Sequence, residues 1–487
     1  MKLNKLLEKI DYTLIGGSEE IEINGLSYDS RKVSDGDVFV CIVGSSVDGH
    51  DYIDDVINNG IKVLIVSKDI VVSKDITVIK VDDTSRILSR LSMNLFDNPN
   101  EKMTTVAITG TKGKTTTSFM IKKIIEESGS KCGVIGTTGI YIGDKYYPNK
   151  NTTPSAYDTL KYMNEMVNEG IKYVVMEVSS QALKYDRVND IIFDYGVFTN
   201  LTQDHIGEFE HTDMDDYISS KAKLFKQCRE GIFNLDDEHF FSMVDMGESS
   251  INTFGYSDKA DLRVDSMELY RDGSLVGINL KLDGVIKDLF KVSTPGKFSS
   301  YNAMSAILTC HLMGIDIKYM KKALSNFSVK GRVEPVWVSD KFTLLIDYAH
   351  NGVSTESILT TIREYKPKRI VTIFGCGGNR SKDRRYEMGE IAGKYSDYCI
   401  ITEDNNRYEE FDDIANDILI GMHKTDCKYK IISDRKEAIK YAIMNGQEGD
   451  IIMLIGKGHE DYKEIKGVRY PFDERVIIKE ILDELDK

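Results

Sequence analysis

The stretch from Thr104 to Thr117, with the sequence TTVAITGTKGKTTT, constrains the fold of this chain more than any other segment. Val106–Ile108 is a short apolar run that predicts a buried strand, and Gly110 and Gly113 follow it directly. Apolar residues then recur at helical spacing over residues 119–125. A strand, a glycine turn and a helix in this order direct backbone N–H groups and the positive end of the helix dipole at one point. We predict that this point binds phosphate.

Lys114 and Thr115 add the side chains that a nucleotide site needs. In a P-loop, a lysine here reaches the terminal phosphates and the hydroxyl beside it binds Mg²⁺. The match is imperfect, because that motif has four residues between its glycines and this chain has only Thr111 and Lys112. The alternative is a glycine turn before a helix with an unrelated lysine. We predict that the phosphates of a nucleotide are bound by Gly110, Thr111, Lys112, Gly113, Lys114, Thr115 and Thr116.

The length of 487 residues predicts two to four domains, because one hydrophobic core rarely grows that large. The formal net charge of -15 argues against nucleic acid as the main partner, although small anions respond only to local charge. The seven cysteines are an odd number and no two have metal-ligand spacing, which is typical of a reduced protein. No apolar run suits a signal peptide or a membrane span. We therefore expect a cytoplasmic protein without membrane insertion.

Alternating strands and helices predict an α/β protein with three segments. Residues 1–100 predict a small α/β domain that ends near Pro99–Lys102. Residues 101–330 alternate as in a parallel sheet covered by helices, with an antiparallel insertion near 250–290. Residues 331–487 again fit a doubly wound α/β domain. The strands predicted most clearly are Val38–Val43, Val63–Val66, Val106–Thr109, Val174–Val178, Tyr195–Thr199, Thr343–Ile346, Ile370–Phe374, Tyr398–Thr402 and Ile451–Ile455.

Several polar side chains follow predicted strands of the middle segment, where ligands bind in α/β sheets. Glu177 ends an apolar run and is placed to bind Mg²⁺, although an acid that caps the next helix is the alternative. His205 follows the next strand, but a lone histidine is more often structural than a metal ligand or a base. Lys221 and Lys223 lie on a predicted helix, where two lysines usually form a solvated face. Asn302 is expected in the first turn of a helix, where the spacing indicates no function.

The strand ends of the last segment carry charges of both signs. Asp347 follows one predicted strand, and Arg380 follows the glycines after another. Arg407 and Glu460 follow two further strands. An arginine clamps a carboxylate through two parallel hydrogen bonds, and a glutamate holds an ammonium group. This set suits a zwitterionic amino acid better than a nucleic acid or a sugar.

Nine short motifs occur along nearly the whole chain. They are DSR at Asp29–Arg31, TGTKGKTT at Thr109–Thr116, NTTP at Asn151–Pro154, EVSSQAL at Glu177–Leu183, NLTQDH at Asn200–His205, KAKLF at Lys221–Phe225, GR at Gly331–Arg332, DYAH at Asp347–His350 and GKGHE at Gly456–Glu460. Each motif alone is weak, but nine in this order are highly specific. Together they resemble the Mur ligase family, and within it the MurE type, which adds the third residue to UDP-N-acetylmuramoyl-L-Ala-D-Glu.

The resemblance implies three domains and a role for each. A small N-terminal α/β domain over 1–100 would bind the UDP-substrate, and Ser30 would contact the UDP moiety. A central P-loop ATPase-like domain with a parallel sheet, over 101–330, would bind ATP. A C-terminal Rossmann-like domain over 331–487 would bind the amino acid. The muramoyl-peptide would be held by Thr152, Thr153, Ser179 and Arg187. The ATP site would also include Asn302, Arg332 and Asp347.

The resemblance also implies a metal and a modified lysine. Lys221 would carry a carbamate, formed from its neutral amine and CO₂, which turns a cation into an anionic ligand for Mg²⁺. Thr115, Glu177 and His205 would complete the metal site. The catalytic residues would be Lys114, Glu177, His205 and Lys221.

The identity of the amino acid depends on three of these segments. Family members that add meso-diaminopimelate carry D-N-P-R, an upstream G-G-D-R, and G-K-G-H-E. In this chain Asn406 replaces the proline and Asn379 replaces the acid, whereas both arginines remain. Arg407 is placed to clamp the distal carboxylate that lysine lacks. We expect meso-2,6-diaminopimelate at a site formed by Arg380, Asp404, Asn405, Arg407, Gly456 and Glu460.

L-Lysine is the alternative substrate, because Asn351-Gly352 after DYAH also resembles some lysine-adding relatives. In either case ATP would phosphorylate the D-Glu carboxylate, and the amine would displace phosphate from the acyl phosphate. We expect a monomer that acts on small molecules.

Two rival functions stay open from the sequence. A folylpolyglutamate synthase-like ligase shares the G-x-x-G-K loop but would not need the segment with Asp29–Arg31. A nucleotide-dependent switch or scaffold without catalysis is disfavoured by the joint presence of Glu177, His205 and Lys221.

Overall fold

The structure, a computed structural model, describes residues 1–44, 47–73, 75–204, 206–207, 210–272 and 275–485. The chain divides into two compact units. The first contains Met1–Asp261 and Ser305–Tyr319, and the second contains Leu262–Met304 and Met320–Lys487. The three expected segments, 1–100, 101–330 and 331–487, stay a prediction.

The N-terminal part of the first unit forms a five-stranded sheet with three helices. Its elements are α1 (Leu3–Leu6), β1 (Thr13–Gly16), β2 (Gly25–Ser27), β3 (Asp37–Val40), α2 (Ile53–Asn58), β4 (Val63–Val66), β5 (Thr77–Lys80) and α3 (Thr84–Leu95). The strand order is β1-β5-β4-β3-β2, and only β1 is antiparallel to its neighbour. The strand predicted at Val38–Val43 ends at Val40, because the Ile42 N–H turns back to the Val40 carbonyl.

A larger sheet occupies the rest of the first unit. Its elements are β6 (Thr104–Thr109), α4 (Lys114–Glu127), β7 (Cys132–Gly136), β8 (Gly139–Ile142), β9 (Lys145–Tyr147), α5 (Ala156–Asn168), β10 (Tyr173–Glu177), α6 (Ser180–Lys184), β11 (Phe193–Phe198), α7 (Met214–Ala222), β12 (Cys228–Asn234), α8 (Phe240–Val244) and β13 (Ser250–Gly255). Their order within this unit is β13-β12-β11-β6-β10-β7-β8-β9. The strands from β13 to β7 are parallel, whereas β8 and β9 are antiparallel additions.

The register of the three central strands brings their carboxyl ends level. Glu177 of β10 lies beside Ile108 of β6, and Phe198 of β11 lies beside Thr109. These strands are almost entirely buried, as expected for a parallel sheet with both faces covered. The loops after β6, β10 and β11 therefore meet at one edge of the sheet.

The second unit begins with an antiparallel insertion and continues as an α/β fold. Its elements are β14 (Leu262–Asp272), β15 (Leu275–Gly284), β16 (Asp288–Val292), α9 (Lys297–Leu312), α10 (Ile317–Ser325), β17 (Glu334–Val338), β18 (Phe342–Asp347), α11 (Gly352–Glu364), β19 (Arg369–Phe374), α12 (Lys382–Tyr395), β20 (Tyr398–Ile401), α13 (Phe411–Met422), β21 (Lys428–Ile431), α14 (Arg435–Met444), β22 (Asp450–Ile455), β23 (Tyr462–Ile465), β24 (Val468–Pro471) and α15 (Glu474–Leu485). The boundaries of the unit fall within α9 and α10.

The antiparallel pairing of β14, β15 and β16 confirms the predicted insertion from Leu262 onward, whereas Ser250–Gly255, at the start of the predicted region, pairs in parallel with β12. The main sheet has the order β17-β18-β22-β19-β20-β21, and all its pairs except β17 with β18 are parallel. One expectation was wrong: because α9 begins at Lys297, Asn302 lies in its second turn and not in the first.

Side chains of the main sheet alternate between two apolar clusters, one on each face. Leu344 and Leu454 belong to one cluster, whereas Leu345 and Met453 belong to the other. Alternation with period two places successive side chains on opposite faces, so an apolar run in every central strand requires cover on both sides. Helices supply this cover, as predicted for a doubly wound domain.

A buried ion pair joins α14 to the start of α15. Arg435 and Glu474 are 1% and 0% exposed, and Arg435 Nε donates to Glu474 Oε1 at 2.7 Å. The other guanidinium nitrogens donate to the carbonyls of Glu403 and Ile455 at 3.2 and 3.0 Å. Arg435 thus joins α14 to the loop after β20 and to the last residue of β22.

We predict that Arg435→Met destabilises the second unit by about 3–5 kcal/mol, because it leaves the Glu474 carboxylate buried without its cation. The double variant Arg435→Met/Glu474→Leu should be more stable than the single variant. Urea unfolding of both measures this difference. Lys436→Met is the control, since Lys436 pairs with Glu480 on the surface and should cost at most about 1 kcal/mol. Equal loss for the two single variants would contradict the prediction.

Candidate active site

The loop between β6 and α4 has the geometry of a phosphate cradle. Gly110 and Gly113 have φ values of +146° and +87°, which favour glycine. A Cβ on Gly110 would lie 2.0 Å from Thr199 Oγ1, so a larger residue cannot stand there. The first N–H groups of α4 have no acceptor within the helix and point toward the loop. An anion is the ligand that such groups bind.

Residues at the end of β11 hold this loop in place. The Thr199 hydroxyl and the Asn200 amide both donate to the Lys112 carbonyl, at 2.7 and 2.9 Å. Asn200 Oδ1 accepts the Lys112 N–H at 3.0 Å. The Thr111 hydroxyl donates to the Thr202 carbonyl at 3.2 Å. The short spacing between the glycines is therefore compatible with a fixed loop. Thr116 lies half-buried in the first turn of α4.

Two lysine side chains converge on one carbonyl oxygen of the loop. Lys114 Nζ donates to the Gly110 carbonyl at 2.7 Å and to the Thr111 carbonyl at 3.2 Å. Lys221 Nζ donates to the same Gly110 oxygen at 3.0 Å. Two ammonium groups this close favour an anion between them.

Lys221 lies on a buried face of α7, contrary to the solvated face that its spacing alone favoured. It is 1% exposed, whereas Lys223 is exposed as expected. Its Nζ also lies 4.7 Å from the centre of the Tyr217 ring. Burial, and next the Lys114 ammonium, hold the pKa of the Lys221 amine well below its usual range. The environment therefore favours the neutral amine.

Glu177 is fully buried at the end of β10 and accepts three hydrogen bonds. The Thr115 hydroxyl donates to Oε2 at 2.9 Å, and the Thr137 hydroxyl donates to the same oxygen at 3.0 Å. The Thr137 N–H donates to Oε1 at 3.1 Å. Glu177 contacts the cradle rather than capping α6, whose cap is the Ser179 hydroxyl.

A carboxylate and a threonine hydroxyl at this position fit Mg²⁺, which prefers oxygen ligands. His205, the third predicted ligand, lies outside the described residues. Within the part of the chain that the structure describes, no group of three or more His, Cys, Asp or Glu side chains could hold a metal. Of the predicted metal ligands, Thr115, Glu177 and Lys221 are therefore the ones that the structure describes.

The residues assigned to the muramoyl-peptide lie next to Glu177. The Thr152 hydroxyl is 3.0 Å from that of Thr137. The Thr153 hydroxyl donates to the Glu177 carbonyl at 2.9 Å and accepts the Ser179 N–H at 3.0 Å. Arg187 Nη1 donates to the Thr153 carbonyl at 3.3 Å. Ser30 lies apart in a short turn beside the Asp29–Arg31 ion pair, and no described hydrogen bond links it to this group.

Sequence reasoning missed three residues of this region. Thr137 directly follows β7, so the rule that found Glu177 could have found it. Tyr217 precedes Lys221 by one helical turn, and its hydroxyl is 3.1 Å from that of Thr111. His211 is buried against Tyr217, with Nε2 2.9 Å from the Ser180 hydroxyl and Nδ1 3.2 Å from Asp216. No pattern in the sequence pointed to His211.

The second unit contains a cleft of about 130 Å³ at the carboxyl ends of its parallel strands. Its walls include every residue predicted to bind the amino acid: Arg380, Asp404, Asn405, Arg407, Gly456 and Glu460. His350 of the DYAH motif also lines it, and so does Arg384, which sequence reasoning did not single out. The Arg384 Nε donates to the His350 carbonyl at 2.8 Å.

Arg407 is held rigidly at this cleft. Its Nη1 donates to the Gly378 carbonyl at 2.7 Å. Its backbone N–H donates to the Glu464 carbonyl at 3.0 Å, and its backbone carbonyl accepts the Lys466 N–H at 2.6 Å. The φ of Arg407 is +53°, a conformation that a residue other than glycine or asparagine adopts only when its neighbours enforce it. The backbone of Arg407 is therefore constrained without the proline that Asn406 replaces, and the bond to Gly378 orients the guanidinium.

The remaining predicted ATP residues belong to the second unit. Asp347 accepts the N–H groups of Val333 and Ala349 at 2.9 and 2.8 Å, and burial raises the pKa of its carboxyl. Arg332 stacks 5.0 Å from the Tyr348 ring, and its buried Nε has no acceptor among the described residues. Asn302 is 6% exposed within α9.

Comparison with known proteins adds to this geometry. The Mur ligase family catalytic domain model matches residues 22–94, the Mur ligase middle domain matches 108–310, and the Mur ligase glutamate ligase domain matches 331–458. A relative from Caldanaerobacter subterraneus subsp. tengcongensis, a UDP-N-acetylmuramoyl-L-alanyl-D-glutamate–2,6-diaminopimelate ligase, is 40% identical over 100% of both chains. A Clostridium perfringens relative with the same name is also 40% identical, over 99% of this chain and 100% of its own.

The chain belongs to the Mur ligase family. Members of the family are ATP-dependent ligases that form an amide and release ADP. The architecture of three domains is that of the family, as the resemblance implied. No helix among the described residues is long and apolar enough to cross a membrane.

Solved structures agree with the assignment of this chain to the Mur ligase family. One of a UDP-N-acetylmuramoyl-L-alanyl-D-glutamate–2,6-diaminopimelate ligase matches with a TM-score of 0.72 at 25% identity, over 100% of this chain and 99% of the other. A Mycobacterium tuberculosis folylpolyglutamate synthase matches with a TM-score of 0.60 at 15% identity, over 76% of this chain and 92% of its own. The second likeness shows a shared fold alone.

We predict that Lys114→Ala raises the Kd for ATP by about tenfold to a hundredfold. Each charge-assisted hydrogen bond to a phosphate contributes about 1.5–3 kcal/mol, and this variant removes such a donor. Calorimetric titration with ATP and Mg²⁺ measures the change. Lys123→Ala is the matched control, because Lys123 lies on the same helix but pairs with Glu127 at the surface. Unchanged ATP affinity in folded Lys114→Ala would show that this lysine does not reach the phosphates.

Proposed function

We propose that this Mur ligase joins meso-2,6-diaminopimelate to the D-Glu carboxylate of UDP-N-acetylmuramoyl-L-Ala-D-Glu, with conversion of ATP to ADP and phosphate. The product is a precursor of peptidoglycan. The observation that carries the proposal is the cleft of the second unit, where a fixed arginine, Arg407, and a carboxylate, Glu460, stand on the same walls. A diamino acid with a carboxylate and an ammonium group at its distal end complements both charges.

The three segments divide the work in this proposal. Residues 1–100 bind the UDP moiety, with Ser30 in contact with it. Residues 101–330 bind ATP and the muramoyl-peptide, and residues 331–487 bind the amino acid. The protein acts as a monomer in the cytoplasm.

The first chemical stage forms an acyl phosphate. A D-Glu carboxylate oxygen attacks the γ-phosphorus of ATP, the bond to the β-phosphate oxygen breaks, and ADP leaves. Lys114 and the N–H groups at the start of α4 bind the phosphate oxygens and stabilise their charge during transfer. Asn302, Arg332 and Asp347 hold ATP. Thr115 and Glu177, with His205, hold Mg²⁺, which neutralises phosphate charge when it is bound.

The second stage forms the amide. The free amine of the amino acid attacks the acyl carbon and releases one proton to solvent, and phosphate leaves from the tetrahedral intermediate with the oxygen that joined it to carbon. Arg380, Asp404 and Asn405, together with Arg407 and Glu460, hold the amino acid. Thr152, Thr153, Ser179 and Arg187 hold the peptide that carries it. Exclusion of water protects the acyl phosphate from hydrolysis.

Lys221 acts in this proposal as a carbamate. Its neutral amine attacks the carbon of CO₂, a nitrogen–carbon bond forms, and one proton is released to solvent. The product is an anion beside the Lys114 ammonium, so a pair of opposite charges replaces a neutral amine and a cation at the Gly110 carbonyl. Its oxygens join the ligands of Mg²⁺. Full burial with a carbonyl as its hydrogen-bond acceptor supports this assignment.

L-Lysine is the second candidate, and the motif that favoured it has a structural explanation. Asn351 caps α11, since its Oδ1 accepts the Ser354 N–H at 2.9 Å and the two residues form a capping box. Asn351 is therefore explained without any contact to the amino acid. A folylpolyglutamate synthase-like ligase has less support, because that likeness extends to the fold alone.

The test of the proposal is product formation with purified protein, ATP, Mg²⁺ and UDP-N-acetylmuramoyl-dipeptide. Diaminopimelate, lysine, glutamate and no amino acid are compared by phosphate release and by the mass of the product. We expect a new UDP-tripeptide with diaminopimelate and much less with lysine. Product with lysine alone, or with glutamate alone, would overturn the proposal.

We predict that Lys221→Ala is almost inactive and that added short carboxylic acids partly restore its turnover. The reason is that a free carboxylate can replace the carbamate as an anion beside Lys114. Steady-state phosphate release with and without acetate measures the rescue. Lys223→Ala, two residues away and exposed, should keep normal turnover without acetate. Full activity of Lys221→Ala would contradict a role for the carbamate.

We predict that Arg407→Ala lowers kcat/KM for diaminopimelate by about tenfold to a hundredfold, because the distal carboxylate loses a charge-assisted partner. Activity with lysine, which has no such carboxylate, should fall less or rise. Arg469→Ala is the control, since Arg469 stacks on Tyr462 and does not line the cleft. A loss by the same factor for both amino acids would show that Arg407 is not the selector.

A further inference from the structure

Lys457 is a buried cation directly behind the amino-acid cleft. Its side chain is 1% exposed and is not among the residues that line the cleft. Its Nζ donates to Asn405 Oδ1 at 3.2 Å and to Glu460 Oε2 at 3.4 Å. A charged lysine is seldom fully buried unless it is paired, so these two contacts account for its position.

Asn405 connects this lysine to the cleft. Its Nδ2 donates to Glu460 Oε2 at 2.8 Å, and its Oδ1 accepts the Glu464 N–H at 2.9 Å as well as Lys457 Nζ. Because two donors approach Oδ1, the orientation of the amide is fixed by its neighbours. Asn405 and Lys457 thus both bind the same oxygen of Glu460.

The second oxygen of Glu460 has a different environment. No described residue donates a hydrogen bond to Oε1, and Glu460 lines the cleft. We propose that Lys457 is a positioning residue, which anchors one carboxylate oxygen of Glu460 through a direct contact and through Asn405. The other oxygen is thereby presented to the distal ammonium group of the diamino acid. This inference rests on the proposed function of the cleft.

Lys457 also opposes the effect of burial on the pKa of the Glu460 carboxyl. Burial raises the pKa of Glu460, and the Asp404 carboxylate raises it further, whereas Lys457 and Asn405 lower it. The other titratable groups that face Glu460 are the phenols of Tyr348 and Tyr462. Removal of Lys457 therefore raises the pKa of Glu460. As the pH falls, Glu460 then becomes protonated at a higher pH than in the wild type, and binding of the ammonium group is lost there.

A purely structural role for Lys457 predicts different behaviour. Its Nζ lies 5.8 and 5.9 Å from the ring centres of Tyr462 and Phe472, so the lysine also packs beneath the hairpin of β23 and β24. Lys463 belongs to β23 of the same hairpin, and its Nζ lies 5.5 Å from the centre of the Phe472 ring. Its charge partner, however, is Glu403. Lys463→Met therefore removes a comparable lysine without touching Glu460 or Asn405.

The experiment compares Lys457→Met, Lys457→Arg and Lys463→Met with wild type. In Lys457→Met we expect KM to rise at least about tenfold for diaminopimelate and by a similar factor for lysine, because both present a distal ammonium group. KM for ATP should be unchanged. The acid limb of kcat/KM for the amino acid should move to higher pH, and Lys457→Arg should reverse part of both changes. Lys463→Met should behave as wild type.

Unchanged KM and an unchanged acid limb in Lys457→Met would overturn the inference. An equal rise in KM for diaminopimelate, lysine and ATP, together with a lower Tm, would also overturn it, because a general loss of structure has these effects. The Glu460 carboxyl titration, followed by carbon NMR against Glu460→Gln, gives a readout that needs no activity. If the pKa of Glu460 does not rise in Lys457→Met, the inference is excluded. If the wild-type protein ligates no diamino acid, only the proposed function is contradicted.

Discussion

The approach of two lysine ammonium groups to the carbonyl oxygen of Gly110 is the interaction on which the first unit depends. Burial, and next repulsion from the Lys114 ammonium, depress the pKa of Lys221. The surrounding structure holds both groups in place despite this repulsion. Asp213 caps the helix that carries Lys221, and Tyr217 joins that helix to Thr111 of the loop. An arrangement of this kind binds anions, and the phosphates of ATP are anions that the family's reaction supplies.

The cleft of the second unit presents charges of both signs that do not neutralise one another. Arg407 donates to a carbonyl, and its Nε is 3.8 Å from Glu464. Glu460 is bound on one oxygen by Lys457 and Asn405. Each charge is thus oriented by a neighbour while part of it still faces the cleft. Preorganised groups of this kind lose little freedom when the substrate binds.

The sequence predicted the features that follow from strand ends and from apolar patterns. Glu177 and Arg407 were found because ligand-binding residues of α/β sheets follow strands, and that rule holds for any parallel sheet. The burial of Lys221 could not be predicted, because its contact with Gly110 spans 111 residues. Lys457 was missed for a related reason. It lies between Gly456 and Gly458, whose φ values of +109° and +54° turn its side chain inward, and a glycine-rich motif does not reveal that direction.

The central claim is that ATP activates a carboxylate of the substrate as an acyl phosphate at the edge formed by Gly110, Lys114 and Glu177. Transfer of oxygen tests it most directly. The UDP-substrate is prepared with ¹⁸O in the D-Glu side-chain carboxylate, and the phosphate released during ligation is analysed by mass spectrometry. The account predicts one ¹⁸O atom in each phosphate, because the oxygen that attacks phosphorus leaves with it. Phosphate without the label, formed together with the amide product, would contradict the account.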